Sequence, residues 1–193
     1  MPNSQFFNLP SEKQKVILDC AFREFSENTF DKASIFSIAQ KCNISRSSIY
    51  CYFKDKDDIY KYLVYCFMKP QIDAMESYKE RPLFFLPKNL FEYLLSFYGT
   101  DKQNFVEKLL KNMNPENIHY IAHELKHSPL VVNENNIDNK TKYDLYIVSA
   151  IIIGNISIAI SCYFEGKFTK QQAQEYFDRA LEILKEGALG GKG

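Results

Sequence analysis

Two short runs hold the side chains with the most chemical potential. His123-Glu124-Leu125-Lys126-His127 matches H-E-x-x-H, which on a helix sets two imidazoles on one face with a glutamate as general base. Zinc-dependent hydrolysis is the activity that this spacing serves. A zinc site needs further ligands, and His119, the one other histidine, lies eight residues from His127. Along a helix that is about 12 Å, too far for both to hold one ion. Ser128-Pro129 also ends the helix directly after the motif. The run is therefore read as a polar helix face, with no catalytic residue, metal or cofactor assigned. A hydrolase built on His123, Glu124 and His127 stays as the alternative.

The second run is Ser45-Arg46-Ser47-Ser48-Ile49-Tyr50. If it forms a short helix with Ile49 turned inward, Arg46, Ser47 and Ser48 face outward. Their donors suit base edges and phosphate oxygens. The elements around it have the right dimensions. A short helix is predicted after Ser34, through Ile35, Ile38 and Ala39 to Lys41; the turn Cys42-Asn43-Ile44 follows, and Ser45 caps the next helix. Two short helices joined by a three-residue turn are the size of a helix-turn-helix, whose second helix enters the DNA major groove.

Helices are predicted on both sides as well. Pro10-Ser11-Glu12 with Gln14 resembles a capping box, opening a helix whose apolar stripe is Val16, Ile17, Cys20, Ala21 and Phe25. Asp55 caps a long helix from Lys56, which Pro70 should kink or end. Further helices are expected over about 87–98, 101–112, 115–127 and 140–164. A last one is opened by Thr169 with Gln172 and carries the stripe Ala173, Phe177, Ala180, Leu181, Leu184. No period-2 alternation is found, so the fold is all-α.

Composition bounds the function classes. The chain has 193 residues, 46% of them apolar, in the range of a globular protein with a real core. Twenty-four basic residues balance 24 acidic ones, which excludes binding to nucleic acid through bulk charge. The balance is not local: from Lys32 to Lys54 there are four basic residues (Lys32, Lys41, Arg46, Lys54) and no acidic one. Five cysteines without a C-x-x-C pair, and an N-terminus without a signal-peptide pattern, point to a reducing, cytoplasmic setting in which the thiols serve as small apolar groups.

Val16-Ile17-Leu18-Asp19-Cys20-Ala21, Phe25, Ala33-Ser34-Ile35, Ile38-Ala39, Ile44-Ser45 and above all Ile49-Tyr50-Cys51-Tyr52-Phe53-Lys54-Asp55-Lys56 resemble the DNA-binding domain of TetR-family repressors over about residues 12–60. The resemblance implies phosphate contacts from Ser34, Tyr50 and Lys56, base contacts from Arg46, Ser47 and Ser48, and a place near the DNA backbone for Lys54. Ser45 and Tyr52 belong to the same surface. Asn28 and Asn43 stand where such proteins often carry glycine, and asparagine tolerates the left-handed backbone that these turns need. Ser47 replaces another frequent glycine and leaves the operator sequence open.

A helix-turn-helix domain over 1–55 and a helical ligand-binding and dimerisation domain over 56–193 follow from that resemblance. The implied function is a DNA-binding transcriptional regulator, a repressor released from a palindromic operator by a small-molecule effector, with no enzymatic activity. The implied assembly is a homodimer through the last two helices. Aromatic residues are dense beyond residue 84, and Phe105, Tyr120, Tyr146 and Asn155 are the candidates for lining a ligand pocket. Leu145 to Phe164 carries no charge over 20 residues, long enough for a membrane span. Ser149, Asn155, Ser157 and Ser161 favour instead a helix packed between its own domain and a partner subunit, so no membrane partner is expected and a single-span anchored protein is a second alternative.

Overall fold

The computed structural model describes residues 1–76, 85–112 and 142–189, and all of its regular structure in those residues is helical. In chain order the helices are α1 (Ser4–Phe7), α2 (Ser11–Glu27), α3 (Ile35–Lys41), α4 (Arg46–Tyr50), α5 (Lys56–Glu76), α6 (Phe85–Leu95), α7 (Gln103–Lys111), α8 (Lys142–Phe164) and α9 (Lys170–Leu189). Packing divides the chain into two compact units. The first is Met1–Pro70 with Asn104–Asn112; the second takes in Gln71–Gln103 and Met113–Gly193. The division falls at Pro70, inside α5, so Lys56–Pro70 packs with the first unit, the head. The helix also runs on to Glu76 through Pro70, which neither ends it nor marks its last turn.

In the first unit α2 presents Ile17, Cys20, Ala21, Glu24 and Phe25 inward, the spacing of one helical stripe. Val16, assigned to that stripe from sequence, is 50% exposed, and the fourth inward place is taken by a glutamate. No side chain caps α2: Pro10 holds the N-cap position, and its carbonyl accepts from the Lys13 and Gln14 amides. α3 packs against α2 and α4 against α3, and Ile35, Ile38 and Ala39 of α3, Ile49 of α4, Ile59, Leu63 and Val64 of α5, and Phe105, Val106, Leu109 and Leu110 of α7 are all buried in the same unit. The four-residue α1, not anticipated from sequence, buries Phe6 completely, with its ring 5.0 Å from that of Phe53.

The second unit packs α8 against α9 and α6 against α8. Phe91 and Phe177 stack at 4.5 Å between centroids. The α8–α9 connection is encoded locally. Gly166 takes φ 72°, and the Lys167 amide reaches back to the Cys162 carbonyl at 2.8 Å, a left-handed helix stop that glycine adopts without strain. Thr169 and Gln172 then cap each other reciprocally, Thr169 N to Gln172 Oε1 at 2.8 Å and Gln172 N to Thr169 Oγ1 at 3.2 Å. Among the described residues no helix is long and apolar enough to cross a membrane, so a span over 145–164 is not supported.

Candidate nucleic-acid interface

The turn between α3 and α4 is built from backbone geometry. Asn43 takes φ 54°, and the Ile44 amide donates to the Ala39 carbonyl at 3.1 Å, closing α3 with a left-handed residue. Asparagine is among the few side chains that enter this region readily, so it serves where glycine is commonly found. Asn28 does not share the role: its φ of −118° and ψ of 149° are extended backbone, open to any residue.

Both helices are capped by the serines expected from sequence. Ser34 Oγ accepts from the Ser37 amide, and Ser45 Oγ accepts from the Ser48 amide, each at 3.1 Å. Ser45 Oγ also lies 2.8 Å from Ser47 Oγ and 2.7 Å from Ser48 Oγ, a cluster of three hydroxyls at the start of α4. Ile49 is fully buried beneath, and this single anchor turns Arg46, Ser47 and Tyr50 to solvent. Arg46 Nη2 donates to Tyr50 Oη at 3.1 Å, with the guanidinium carbon 5.5 Å from the ring centre. This pair one turn apart presents a flat cation and a phenol together. Lys54 is exposed, Tyr52 half-buried with its ring 6.3 Å from Phe6, and Ser34 half-buried.

Three partners hold this surface in place, and none of them was legible as such. Asn3 pins the end of α4, its amide donating to the Tyr52 carbonyl at 2.9 Å and its Nδ2 to the Cys51 carbonyl at 2.6 Å. Lys56, expected at phosphate, turns inward: Nζ donates to the carbonyls of Phe30, Asp31 and Ala33 at 2.6, 3.3 and 3.0 Å and sits 4.5 Å from the Phe30 ring centre. Those three bonds engage all three protons of the ammonium. Glu24, only 2% exposed, accepts from the Ser34 amide at 3.1 Å, Ser37 Oγ at 2.5 Å and Lys41 Nζ at 2.7 Å. Lys41 also pairs with Glu27 at 2.5 Å, so one of the four charges counted over Lys32–Lys54 is neutralised within the fold. The available signal was the charged residue at an inward position of the α2 stripe.

The cluster has an electrostatic signature. Burial pushes the Glu24 carboxyl upward, but hydrogen bonds from Lys41, Ser37 and Ser34, with the Lys41 charge, outweigh it and hold its pKa below the ordinary value. Burial likewise disfavours the Lys41 ammonium, and its bonds to Glu24 and Glu27 more than reverse that. A depressed carboxyl stabilises the fold above its unfolded pKa of about 4.3 and loses that contribution as pH falls through the lower folded value. Thermal melts from neutral pH downward should therefore show an acid loss of stability, and Glu24→Gln should flatten that limb. Identical acid limbs in the two proteins would remove Glu24 as its source.

All five cysteines are free: Cys20 is buried, as an apolar group would be, whereas Cys51 is exposed. Burial first, and then contact with Cys20, push the Cys42 thiol upward, which keeps it protonated and unreactive.

Of the four ligand-pocket candidates, Phe105 and Asn155 have described side chains, and they belong to different units. Phe105 is fully buried in the first unit, 4.7 Å from Phe22 and 5.2 Å from Phe67 between ring centres. Asn155 lies in the second unit, its Nδ2 donating to the Ile151 carbonyl at 2.8 Å and its Oδ1 accepting from Tyr176 Oη at 3.1 Å. It lines a groove of about 490 Å³ between α8 and α9, together with Ile151, Tyr176, Arg179, Ile183 and Leu184. Tyr146 is on α8, with its side chain outside the description; Tyr120 and the His119, His123, Glu124 and His127 run lie outside the described residues.

Residues 17–63 match the model of the tetR family of bacterial regulatory proteins. No curated protein matches the sequence. Solved structures similar to the chain include a TetR family transcriptional regulator from Chloroflexus aurantiacus, 19% identical over 97% of this chain and 98% of that one, with a TM-score of 0.51. A TetR-like transcriptional regulator from Rhodococcus is 21% identical over 96% of this chain and all of the other, with a TM-score of 0.52. The fatty acid degradation regulator FadR from Bacillus halodurans is 14% identical over 92% and 96%, with a TM-score of 0.53. At these identities the likeness is one of fold, and it extends over 92–97% of this chain.

Proposed function

We propose, from a chain that carries the TetR-family DNA-binding domain and has the fold of TetR-family transcriptional regulators, that this protein is a cytoplasmic homodimeric repressor, released from a palindromic operator by a small-molecule effector. The observation that carries the DNA-binding half is α4: a buried Ile49 beneath outward Arg46, Ser47 and Tyr50, set by a left-handed turn at Asn43. Arg46, Ser47 and Ser48 reach base edges. Tyr50, Tyr52, Lys54 and the Ser34 and Ser45 hydroxyls serve the phosphate backbone. Lys56 supports this surface from behind, since its three protons are spent on the loop carbonyls ahead of α3.

A dimer is favoured by the outer face of the last two helices. Ile147, Ile151 and Ile158 of α8 and Ile183 of α9 are large apolar side chains left about half exposed, and Ile151 and Ile183 line the α8–α9 groove. Apolar rows of this kind on a soluble domain mark surfaces that another protein covers. Two copies would place two α4 helices on successive major grooves, which a pseudo-palindrome matches. α5 leaves the head and runs unbroken past Pro70 to Glu76, and it is the element through which an effector would shift the spacing of the heads.

Enrichment of bound sequences from a random DNA pool tests the reading, with two similar half-sites as the expected product. A pool without enrichment would reject it. Light scattering of the purified protein should return twice the mass of the 22.6 kDa chain, and Ile151→Glu, which puts a charge on the exposed row, should return the mass of one. A monomeric wild type would exclude the dimer.

A further inference from the structure

The geometry points to Glu24 as a positioning residue for DNA recognition: from the core of α2 its carboxylate ties the first turn of α3 to its last, and so sets the helix from which α4 is hung. This rests on the head being a DNA-binding domain. Ser34 caps α3, Ser37 lies in its first turn and Lys41 is its final residue, and all three donate to the one buried carboxylate. Apolar packing is non-directional, and the contacts of Ile35, Ile38 and Ala39 would let a seven-residue helix rotate or slide against α2. Hydrogen bonds at both ends of the helix remove those two freedoms, because each requires its own distance and angle.

The constraint then passes along the chain. Lys41 is followed directly by the Cys42-Asn43-Ile44 turn, whose left-handed Asn43 and Ile44–Ala39 hydrogen bond leave little slack before Ser45 caps α4. Base readout requires side chains held to within a fraction of an ångström, which is achieved by hydrogen-bonded support behind the contacting residues. Glu24 is buried and negatively charged, so it contributes through placement and touches no DNA. With Lys41 held by both Glu24 and Glu27, that lysine too belongs to the support.

The test compares full-length wild type, Glu24→Gln, Glu24→Gln/Lys41→Gln and Ser37→Ala, each titrated against the DNA sequence enriched from the pool and against a scrambled duplex. Circular dichroism melts establish which variants are folded. Glutamine keeps the shape of Glu24 but sets an amide N–H₂ group either against the Ser34 amide, in place of Oε1, or against the Lys41 ammonium and the Ser37 hydroxyl together, in place of Oε2. A folded Glu24→Gln should lose at least ten-fold in affinity for the enriched sequence, with less than a two-fold change on scrambled DNA. The double variant, with the facing cation gone, should recover part of that loss. Ser37→Ala should show a smaller loss of the same kind, and it decides the question should Glu24→Gln not fold. Partial unfolding lowers both affinities equally, so the ratio separates placement from stability. An unchanged ratio in the folded variants overturns the role of Glu24 while wild-type enrichment stands. A wild type that enriches no sequence overturns the DNA-binding reading and the role of Glu24 with it.

Discussion

Arg46→Ala should lower affinity for the enriched operator by roughly five- to 150-fold, the range expected when one good base contact worth about 1–3 kcal/mol is removed. Arg46 is the side chain of α4 with a forked, permanently charged donor set, and the fully buried Ile49 turns it outward. Its effect should fall on the operator and spare scrambled DNA. Tyr50→Phe should act differently. It removes the hydroxyl that accepts from Arg46 Nη2 and leaves the ring that the guanidinium overlies. With Tyr50 at phosphate, its loss should weaken operator and scrambled duplex alike and leave the slope of log affinity against log salt unchanged, because a neutral phenol releases no counterion. The two residues touch, so their effects should not add, and the double variant should lose less than the product of the single losses. Wild-type affinity in both single variants would remove α4 from the DNA interface.

Phe105→Ala should destabilise the head by about 3–5 kcal/mol, the usual cost of emptying a buried phenylalanine site. The ring is fully buried between Phe22 of α2 and Phe67 of α5, and it brings with it Val106, Leu109 and Leu110, which are buried in the same unit. Urea unfolding measures the effect as a lower midpoint at an unchanged slope. A ring that merely lined an open effector pocket would cost little stability and much ligand affinity. A loss below about 1 kcal/mol, under the usual range for such truncations, would therefore return Phe105 to the list of ligand contacts.

Features that depend on contacts a few residues apart were legible in the chain. Ser34, Ser45 and Asp55 each cap an amide three residues on, and Thr169 with Gln172 close a reciprocal pair. Asn43 at φ 54° and Gly166 at φ 72° stop their helices where the side-chain type allows it. The same locality explains why the helix-turn-helix could be delimited almost to the residue, and why Ile49 could be turned inward and Arg46 outward.

Features that depend on distant partners could not be read that way. Lys56 finds its three carbonyls 23 to 26 positions back in the chain, so its type and its place in the first turn of α5 suggested phosphate, whereas the fold engages the ammonium with those carbonyls. Val16 and Glu24 exchange the places that hydropathy assigns them, because three donors from α3 make the carboxylate cheaper to bury than its charge implies. Phe105 looked like one aromatic among many beyond residue 84, and only the return of α7 to the head places it between Phe22 and Phe67.

The sequence alone therefore determined the helical class, the caps at Ser34, Ser45, Asp55 and Thr169, the turns at Asn43 and Gly166, and the extent of the helix-turn-helix, since each is encoded within about one helical turn. The tertiary structure decided which of the basic side chains near the motif are paired within the fold and which stay exposed. Lys41 and Lys56 are basic residues beside the motif, but long-range hydrogen bonding engages both half-buried ammonium groups with partners inside the fold. What remains exposed is Arg46, Lys54 and Lys32, fewer cations than the linear count, set on a surface held by Glu24 and Lys56.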